Sequence, residues 1–368
     1  MLPFLFISFL VVIFIQFFYY IVVFGKFAFV NPKSIHPKKL SVSVIVCAKN
    51  EFENVKKFIP ILAAQDYPDF EIVLIDDASS DETLDVFEIF EKQFSNIRLV
   101  KVANNEAFWG NKKFALTLGI KAAQKEYLLF TDADCYPTSV NWISEMTSQF
   151  SFQKTIVLGY GGYEKIPNSF LNKIIRFETI LTAIQYFSWA RFGKPYMGVG
   201  RNLAYKKSEF FRVDGFKSHL QIRSGDDDLF INQVATQKNT AVCLSPESFT
   251  YSVPKTTFKE WFAQKRRHIS TANHYKSFDR MQLTLFYASQ WLFLMLALLL
   301  LCFDYLPFAV LILSIIRYAF VITTIGFSAT KLKEKDLIVW FPILEIILIW
   351  SQMNILVTNF FSKPKNWK

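Results

Sequence analysis

Two short acidic runs are the places where this chain could do chemistry. One is Asp76-Asp77-Ala78-Ser79-Ser80-Asp81 and the other is Asp132-Ala133-Asp134. Each follows directly on a run of aliphatic residues, and Lys49-Asn50-Glu51 follows a third such run. There is no glycine-rich loop ending in Gly-Lys-Ser or Gly-Lys-Thr, and no spaced glycine triplet follows the first apolar run. A glycine cradle for phosphate is therefore excluded. Carboxylates at strand ends suit a hard divalent cation, magnesium or manganese, which takes oxygen ligands and shares them with substrate phosphates. Either acidic pair alone would more often be a helix cap. Together at the ends of separate strands of one sheet, they read as a site.

Such residues need a scaffold that brings strand ends together, and the pattern supplies one. It predicts strands over 42–47, 71–75, 97–102 and 127–131, with helices over 53–64, 80–92 and 111–123. Ser79 and Glu82 have capping-box spacing at the start of the second helix. Strand–helix alternation of this kind implies an α/β fold with a mostly parallel sheet covered on both faces. Ligands of such sheets bind beyond the carboxyl ends of the strands.

The 368 residues are 52% hydrophobic, 17% aromatic and 20% charged, with a mean hydropathy of +0.23. Disorder is excluded, and an ordinary soluble enzyme is disfavoured. The apolar excess lies in four runs, 3–24, 283–303, 306–327 and 337–357. Each is near the roughly 20 residues that cross a hydrocarbon core as a helix. The first is too long for a cleaved signal and has no basic residue before it, so it reads as a retained anchor. The expected organisation is a transmembrane helix at 1–25, a catalytic block at 40–280 and three membrane segments at 281–360, an integral multi-pass protein.

The net charge of +10 could mean nucleic acid, but its placement argues otherwise. Lys26, Lys33, Lys38 and Lys39 follow the first run with no acid among them, and 255–280 is also basic. This positive-inside pattern puts the catalytic block in the cytoplasm and the N-terminus outside. Cys47, Cys135, Cys243 and Cys302 show no zinc or disulfide spacing.

Within the apolar runs, Arg317 and Glu345 lie at similar depth if the last two are antiparallel, and a charge there needs a partner, so they are expected to pair. Gln16 is the one strongly polar residue of the first run, and Pro342 is expected to kink the last. A spanning last segment would put the lysines of 363–368 outside, against the charge rule. The alternative is a re-entrant or surface-lying segment.

Six stretches, in order over roughly 42–269, resemble the inverting, membrane-bound glycosyltransferases of family 2, which have a GT-A fold. Residues 42–51 resemble the opening strand and its Asn-Glu loop, and 65–81 the second strand and uracil-side loop. Gly110-Asn111-Lys112-Lys113-Phe114-Ala115-Leu116 resembles the Gly-Lys-x-x-Ala-Leu element with Asn111 inserted. Asp132-Ala133-Asp134 is similar to the metal-binding D-x-D, and Gly225-Asp226-Asp227-Asp228-Leu229 to the later acidic motif. Gln264-Lys265-Arg266-Arg267-His268 resembles Q-x-x-R-W, with His268 in place of Trp.

The resemblance implies a nucleotide-sugar donor, UDP-linked rather than GDP-linked, bound by Asn50, Glu51, Asp76, Asp77, Lys112, Asp132, Gln264 and Arg267. Asp77 would accept from uracil N3–H, while Lys112 and Arg267 would pair with phosphates. Asp134, with Asp132, would hold magnesium or manganese against the diphosphate leaving group. Inversion needs a base opposite that group; Asp227 aligns with it, with Asp226 and Asp228 one residue away.

Gly200, Arg201, Asn202 and His268 would lie by the acceptor, a lipid-linked or other glycan, with membrane lipid as surroundings and no nucleic acid. Helices at 170–192 and 258–274 are expected either on the membrane face or as ordinary core-packing helices. Imidazole at 268 stacks less area than indole, which disfavours the competing reading of a processive polysaccharide synthase. A nucleotide-sensing membrane protein is the non-enzymatic alternative.

Overall fold

The structure, a computed structural model, describes residues 1–31, 38–103, 112–222 and 224–362. Lys33, Gly110, Asn111 and the 363–368 tail, all used above, lie outside the described residues.

The chain begins with α1 (Leu2–Phe17), which passes through a π-helical turn (Phe18–Val23) into α2 (Gly25–Ala28). Strands and helices then alternate: β1 (Val42–Ala48), α3 (Phe52–Ala63), β2 (Phe70–Asp76), α4 (Thr83–Gln93), β3 (Ile97–Lys101), α5 (Lys112–Ala122) and β4 (Tyr127–Phe130). Next come β5 (Cys135–Pro137), α6 (Trp142–Ser148), β6 (Ile156–Leu158), β7 (Gly161–Tyr163), α7 (Phe170–Arg191), β8 (Leu203–Lys206) and α8 (Lys207–Arg212). The catalytic block ends with α9 (Asp228–Val234), β9 (Thr240–Val242), β10 (Thr250–Ser252) and α10 (Phe258–Thr271). Three long helices follow, α11 (Ser277–Cys302), α12 (Pro307–Lys331) and α13 (Phe341–Phe361).

The main sheet has seven strands in the order β3-β2-β1-β4-β8-β6-β9. Its first four strands are parallel, and β8 runs antiparallel to both β4 and β6. Burial on both faces explains their apolar runs. Val42, Val44 and Val46 of β1 face a core with Val55, Ile59 and Leu62 of α3. Ile45 faces the other core with Ala115 and Ile120 of α5. In register, Ala48 lies beside Asp76 and Ile45 beside Phe130, so β1, β2 and β4 end at one edge. A small second sheet, β5-β10-β7, stands beside it.

Three local expectations change. The Ser79–Glu82 capping box does not form: α4 starts at Thr83, whose N–H bonds Asp81 at 3.1 Å, while Ser79 accepts from Asn50 N–H at 3.1 Å. Pro342 sits in the first turn of α13, where a missing N–H costs nothing, and so does not kink it. The 170–192 helix does not lie on a surface, because α7 is buried on most sides, between the sheet and the long helices.

Four helical segments are long and apolar enough to cross a membrane: Leu2–Ala28, Ser277–Cys302, Pro307–Lys331 and Lys335–Phe361. Arg317 and Glu345 pair as expected, through two bonds of 2.9 and 2.5 Å, with 0% and 3% of each residue exposed. Gln16 completes the group, its Oε1 accepting from Arg317 Nε at 2.6 Å while its Nε2 donates to Ser289 O at 2.8 Å.

The course of α13 is unusual. Just before it, Arg176 of α7 holds Glu334 and Asp336, and Trp340 packs on Phe170. In its first half Glu345 reaches Arg317, and Tyr287 of α11 donates to Ile349 O at 2.9 Å. In its last turn Asn359 accepts from Arg266 Nε of α10 at 2.8 Å. Both ends of α13 therefore touch the catalytic block.

Candidate active site

The strand ends open into a cavity of about 620 Å³. Lys49 and Glu51 from β1, Asp132 and Asp134 from β4, and Lys112 from the start of α5 form one wall. Gly200 and Arg201 precede β8, Asp226 to Asp228 open α9, and Gln264, Arg267 and His268 come from α10; all line the same space. Residues scattered over more than 200 positions of sequence thus meet because each sits at an element end on one edge of the sheet.

Charge in this cavity is organised around Lys112. Its Nζ lies 2.8 Å from Asp132 and 3.2 Å from Asp226, joining the D-x-D to the acidic triplet. Burial opposes ionisation of Asp132, but the charge and hydrogen bond of Lys112, aided by Arg201, carry its pKa below the usual value. For Asp134, burial, then Asp132 and Glu51, push the pKa up against the weaker opposing pull of the Cys135 hydrogen bond and Arg201. Arg201 stacks on Tyr163 with its guanidinium carbon 4.3 Å from the ring centre and donates to Gly162 O at 2.9 Å. Burial works against its charge, but Tyr163, Cys135, Asp134 and Asp132 hold it protonated.

Asp132, Asp134 and Cys135 each offer a ligand atom, all within 4.8 Å of one another. The two carboxylates fit a hard divalent cation, whereas the Cys135 thiol, pushed up by burial, donates to Asp134 Oδ1 at 3.4 Å. Cys135 was not foreseen; its position directly after the D-x-D was the available signal.

The three aspartates at the start of α9 separate by their partners. Asp226 is taken by Lys112. Asp228 accepts from Thr271 and, at 2.7 Å, from Tyr275, which ties this turn to the end of α10. Among the described residues, Asp227 accepts only backbone N–H groups, from Gly200 at 2.6 Å and Asp228 at 2.7 Å. Burial, then Asp226 and Asp228, raise its pKa to about 8. A carboxylate poised near neutrality on a cavity wall suits proton abstraction.

Lys113, not singled out by sequence, fixes the approach to this turn. Its ammonium, pushed down to about 8 by burial, donates to the carbonyls of His219, Ile222 and Ser224, each at 2.8 Å. It lies in the same Lys-Lys pair as Lys112.

Other expected site residues stand elsewhere. Asn50, with φ of 55°, accepts from Ser80 N at 2.8 Å and is off the cavity wall, clamping the β1 turn to the β2 turn. Asp76 and Asp77 lie at the same strand edge beyond the wall, and each keeps one buried oxygen without a partner among the described residues. Asn202 is 0% exposed and bonds Trp142, Tyr160 O and Ser248 O, bracing the chain behind Arg201 without facing the cavity. Lys112 is engaged by carboxylates where phosphates were expected. His268 is exposed to the cavity, and its enclosure there with the charges of Lys265 and Arg267 pushes its pKa down.

The sequence matches the family described as "Glycosyl transferase family 2" over residues 43–217. It also matches "Glycosyl transferase family group 2" over 145–353, more than half the chain. A poly-beta-1,6-N-acetyl-D-glucosamine synthase of Staphylococcus epidermidis is 33% identical over 102 residues, 28% of this chain and 24% of that one. The Escherichia coli UDP-Glc:alpha-D-GlcNAc-diphosphoundecaprenol beta-1,3-glucosyltransferase WfaP is 25% identical over 144 residues, 39% of this chain and 50% of that one. These matches thus span half or less of each relative. The solved mannosyltransferase PcManGT of Pyrobaculum calidifontis, in complex with GDP-Man and Mn2+, superposes with a TM-score of 0.59 at 18% identity, covering 94% of this chain and 98% of that one. The chain is a family 2 glycosyltransferase with a GT-A fold.

Proposed function

We propose that the protein transfers a sugar, with inversion, from a UDP-sugar to a glycan acceptor carried on lipid, at the cytoplasmic face of a membrane. The observation that carries this reading is Asp227, which among the described residues forms no ion pair and accepts backbone N–H groups, in the same cavity as Asp132 and Asp134. Asp227 takes the proton of the acceptor hydroxyl as its oxygen bonds the anomeric carbon. The bond from that carbon to the diphosphate breaks, and the nucleoside diphosphate leaves.

Asp132 and Asp134, with Cys135 beside them, would hold magnesium or manganese, which supplies positive charge against the leaving diphosphate. Arg201 and Arg267 would supply further cations to the same phosphates. Manganese is present in the PcManGT structure, and WfaP is named for a UDP-sugar and a lipid-linked acceptor. Lys26, Lys38 and Lys39, after the first apolar helix, support the cytoplasmic placement of the catalytic block in a multi-pass protein.

Membranes holding the protein would be incubated with manganese and a panel of UDP- and GDP-sugars, and nucleotide release measured. The reading expects release from one donor, lost without metal and in Asp134→Ala and Asp227→Asn. Release that persists in both variants would overturn it.

A further inference from the structure

Because the Asp227 carboxylate is met by backbone N–H groups, it goes where the chain on either side puts it. Upstream, Lys113 holds the carbonyl of Ser224. Downstream lies α9, of only seven residues, and a helix that short has little stability of its own. Its place must come from what it packs against. Leu229, Phe230, Ile231 and Val234 bury its apolar side in the core. Asp228 and Asn232, four residues apart and so on one face, are equally buried, at 8% and 5% exposed.

Burying a carboxylate and an amide is costly unless their polar atoms are bonded. Here each of those atoms has a partner, and most of the partners lie at the junction of α10 and α11. Asp228 Oδ2 accepts from the hydroxyls of Thr271 and Tyr275, the latter at 2.7 Å, and its Oδ1 accepts from Leu229 N–H at 2.7 Å. Asn232 Oδ1 accepts from Lys276 N–H at 3.0 Å. Its Nδ2 donates to Asp279 Oδ2 in the first turn of α11, at 2.8 Å, and to Tyr196 O at 2.9 Å. One face of α9 is thus bolted to the stretch 271–279, which ends one helix and begins the next.

We propose that Asp228, Asn232, Thr271 and Tyr275 are positioning residues of the transfer reaction, which set where the Asp227 carboxylate stands relative to the cations of α10. The inference rests on the transferase reading above and deepens it for the same site.

The reason lies in what the bonds connect. Asp228 follows the base directly in the chain. Thr271 closes α10, one turn after Arg267 and on the same face. A single carboxylate therefore joins the turn that carries the base to the helix that carries a cation for the leaving diphosphate. In an inverting transfer the base and the leaving group stand on opposite faces of the anomeric carbon. Their separation is what this joint fixes, and small errors in it are costly at the reacting atoms. Donor binding by itself makes no such demand.

The choice of hydroxyls fits this role. Among the described residues Asp228 forms no ion pair, and its two side-chain donors are uncharged. They hold the turn without adding a cation beside Asp227, whose raised pKa rests on burial and then on its negative neighbours Asp226 and Asp228. Tyr275 is itself steadied by an edge contact with Tyr196, ring centres 6.0 Å apart.

The test measures nucleotide release by membranes holding the full chain, with the donor identified above. Tyr275→Phe keeps the ring and Thr271→Val keeps the shape, and each removes one hydroxyl. Each should lower kcat about tenfold or more while donor KM stays within about twofold. Thr271→Ser restores the hydroxyl and should recover most of the lost kcat. Ser270→Ala removes the neighbouring hydroxyl, which donates to Arg267 O instead, and should turn over as wild type. Rates are taken well below the melting temperature of each detergent-purified variant, so that loss of fold does not enter. Unchanged kcat in both Tyr275→Phe and Thr271→Val would overturn the proposal, as would a Thr271→Ser protein as slow as Thr271→Val, or a loss that appears mainly as raised donor KM. Each of these leaves the transferase reading standing. A wild type that releases nucleotide from no donor would instead overturn the transferase reading, and the positioning role with it.

Discussion

Gly200 donates its backbone N–H to Asp227 Oδ2 at 2.6 Å, and a Cβ on Gly200 would stand 3.3 Å from that same oxygen. The turn before β8 thus sets the position of the base through the backbone, and glycine leaves the carboxylate room. Gly200→Ala should shift Asp227 by a few tenths of an ångström. Since small misplacements at a reacting atom are costly, kcat should fall about tenfold or more, with donor KM nearly unchanged. Steady-state kinetics with the donor identified above would check this. An equal rise in donor KM would point instead to a disturbed nucleotide site.

Asp227 should also leave a mark on stability against pH. Its pKa is about 8 in the fold and about 3.9 in an unfolded chain. The folded state therefore holds a proton that the unfolded state releases, and the wild type loses stability as pH rises from about 4 to about 8. Asn cannot ionise. In metal-free protein, Asp227→Asn should melt within about 1 °C of wild type near pH 4 and several degrees above it near pH 8.5. The groups facing Asp227 are Asp226 and Asp228 on its own turn and Lys112 on α5. Lys112 stays charged throughout, its neighbouring carboxylates holding it so against burial. Thermal melts across that range would show the diverging curves, and parallel curves would mean that Asp227 titrates normally.

Much of this was legible in the sequence because it is local. The alternation from β1 to β4, the acidic runs at the strand ends and the start of α9 at Asp228 are all written in short windows. The antiparallel β8 between β4 and β6 was not, because a four-residue apolar strand carries no sign of its partners. Asn50 and Asn202 were expected as ligand residues from the family resemblance of their motifs. What each does depends on distant partners, Ser80 for one and Trp142 for the other. The path of α13 was hidden for a related reason. An apolar run of that length reads the same whether it crosses or returns, and the contacts near its two ends, from Arg176 and Arg266, come from other helices.

Lys113 offers a test of how the acidic turn is held. Three carbonyls accept from one buried ammonium, and a charged donor contributes about 1.5–3 kcal/mol per bond. Lys113→Met should therefore lower the melting temperature by several degrees and reduce kcat. Lys113→Arg should recover stability only in part, since a planar guanidinium cannot aim at the same three oxygens. Melting curves and kcat measured together would separate this holding role from direct contact with the donor, which would show as a raised donor KM.

Trp261 is on the cavity wall, 3% exposed, with no acceptor for its indole N–H among the described residues, and should behave as an acceptor residue and not as a donor residue. Trp261→Phe keeps a ring and removes the N–H, so acceptor KM should rise several-fold, in keeping with the loss of one hydrogen bond of about 1 kcal/mol. Trp261→Leu removes the ring as well and should raise it further, while donor KM and donor-site binding stay put in both. If the two variants are equal, the N–H carries no acceptor contact.

The Arg317–Glu345 pair should show the asymmetry of buried ions. Each carboxylate oxygen of Glu345 meets one guanidinium nitrogen, and Gln16 satisfies Nε, so removing either partner strands a charge among apolar side chains. In water-soluble proteins such a loss costs about 3–5 kcal/mol, whereas replacing both ions by apolar residues is often neutral. Arg317→Leu and Glu345→Leu should each lower the melting temperature sharply in detergent, and the double variant should recover most of the loss. Arg317→Leu should be the harsher of the two if Gln16 matters, because it also leaves the Gln16 carbonyl oxygen without its donor. A double variant as unstable as the worse single one would mean that the pair positions α13 through its geometry, and then acceptor KM should rise along with the fall in stability, since α13 forms one wall of the cavity.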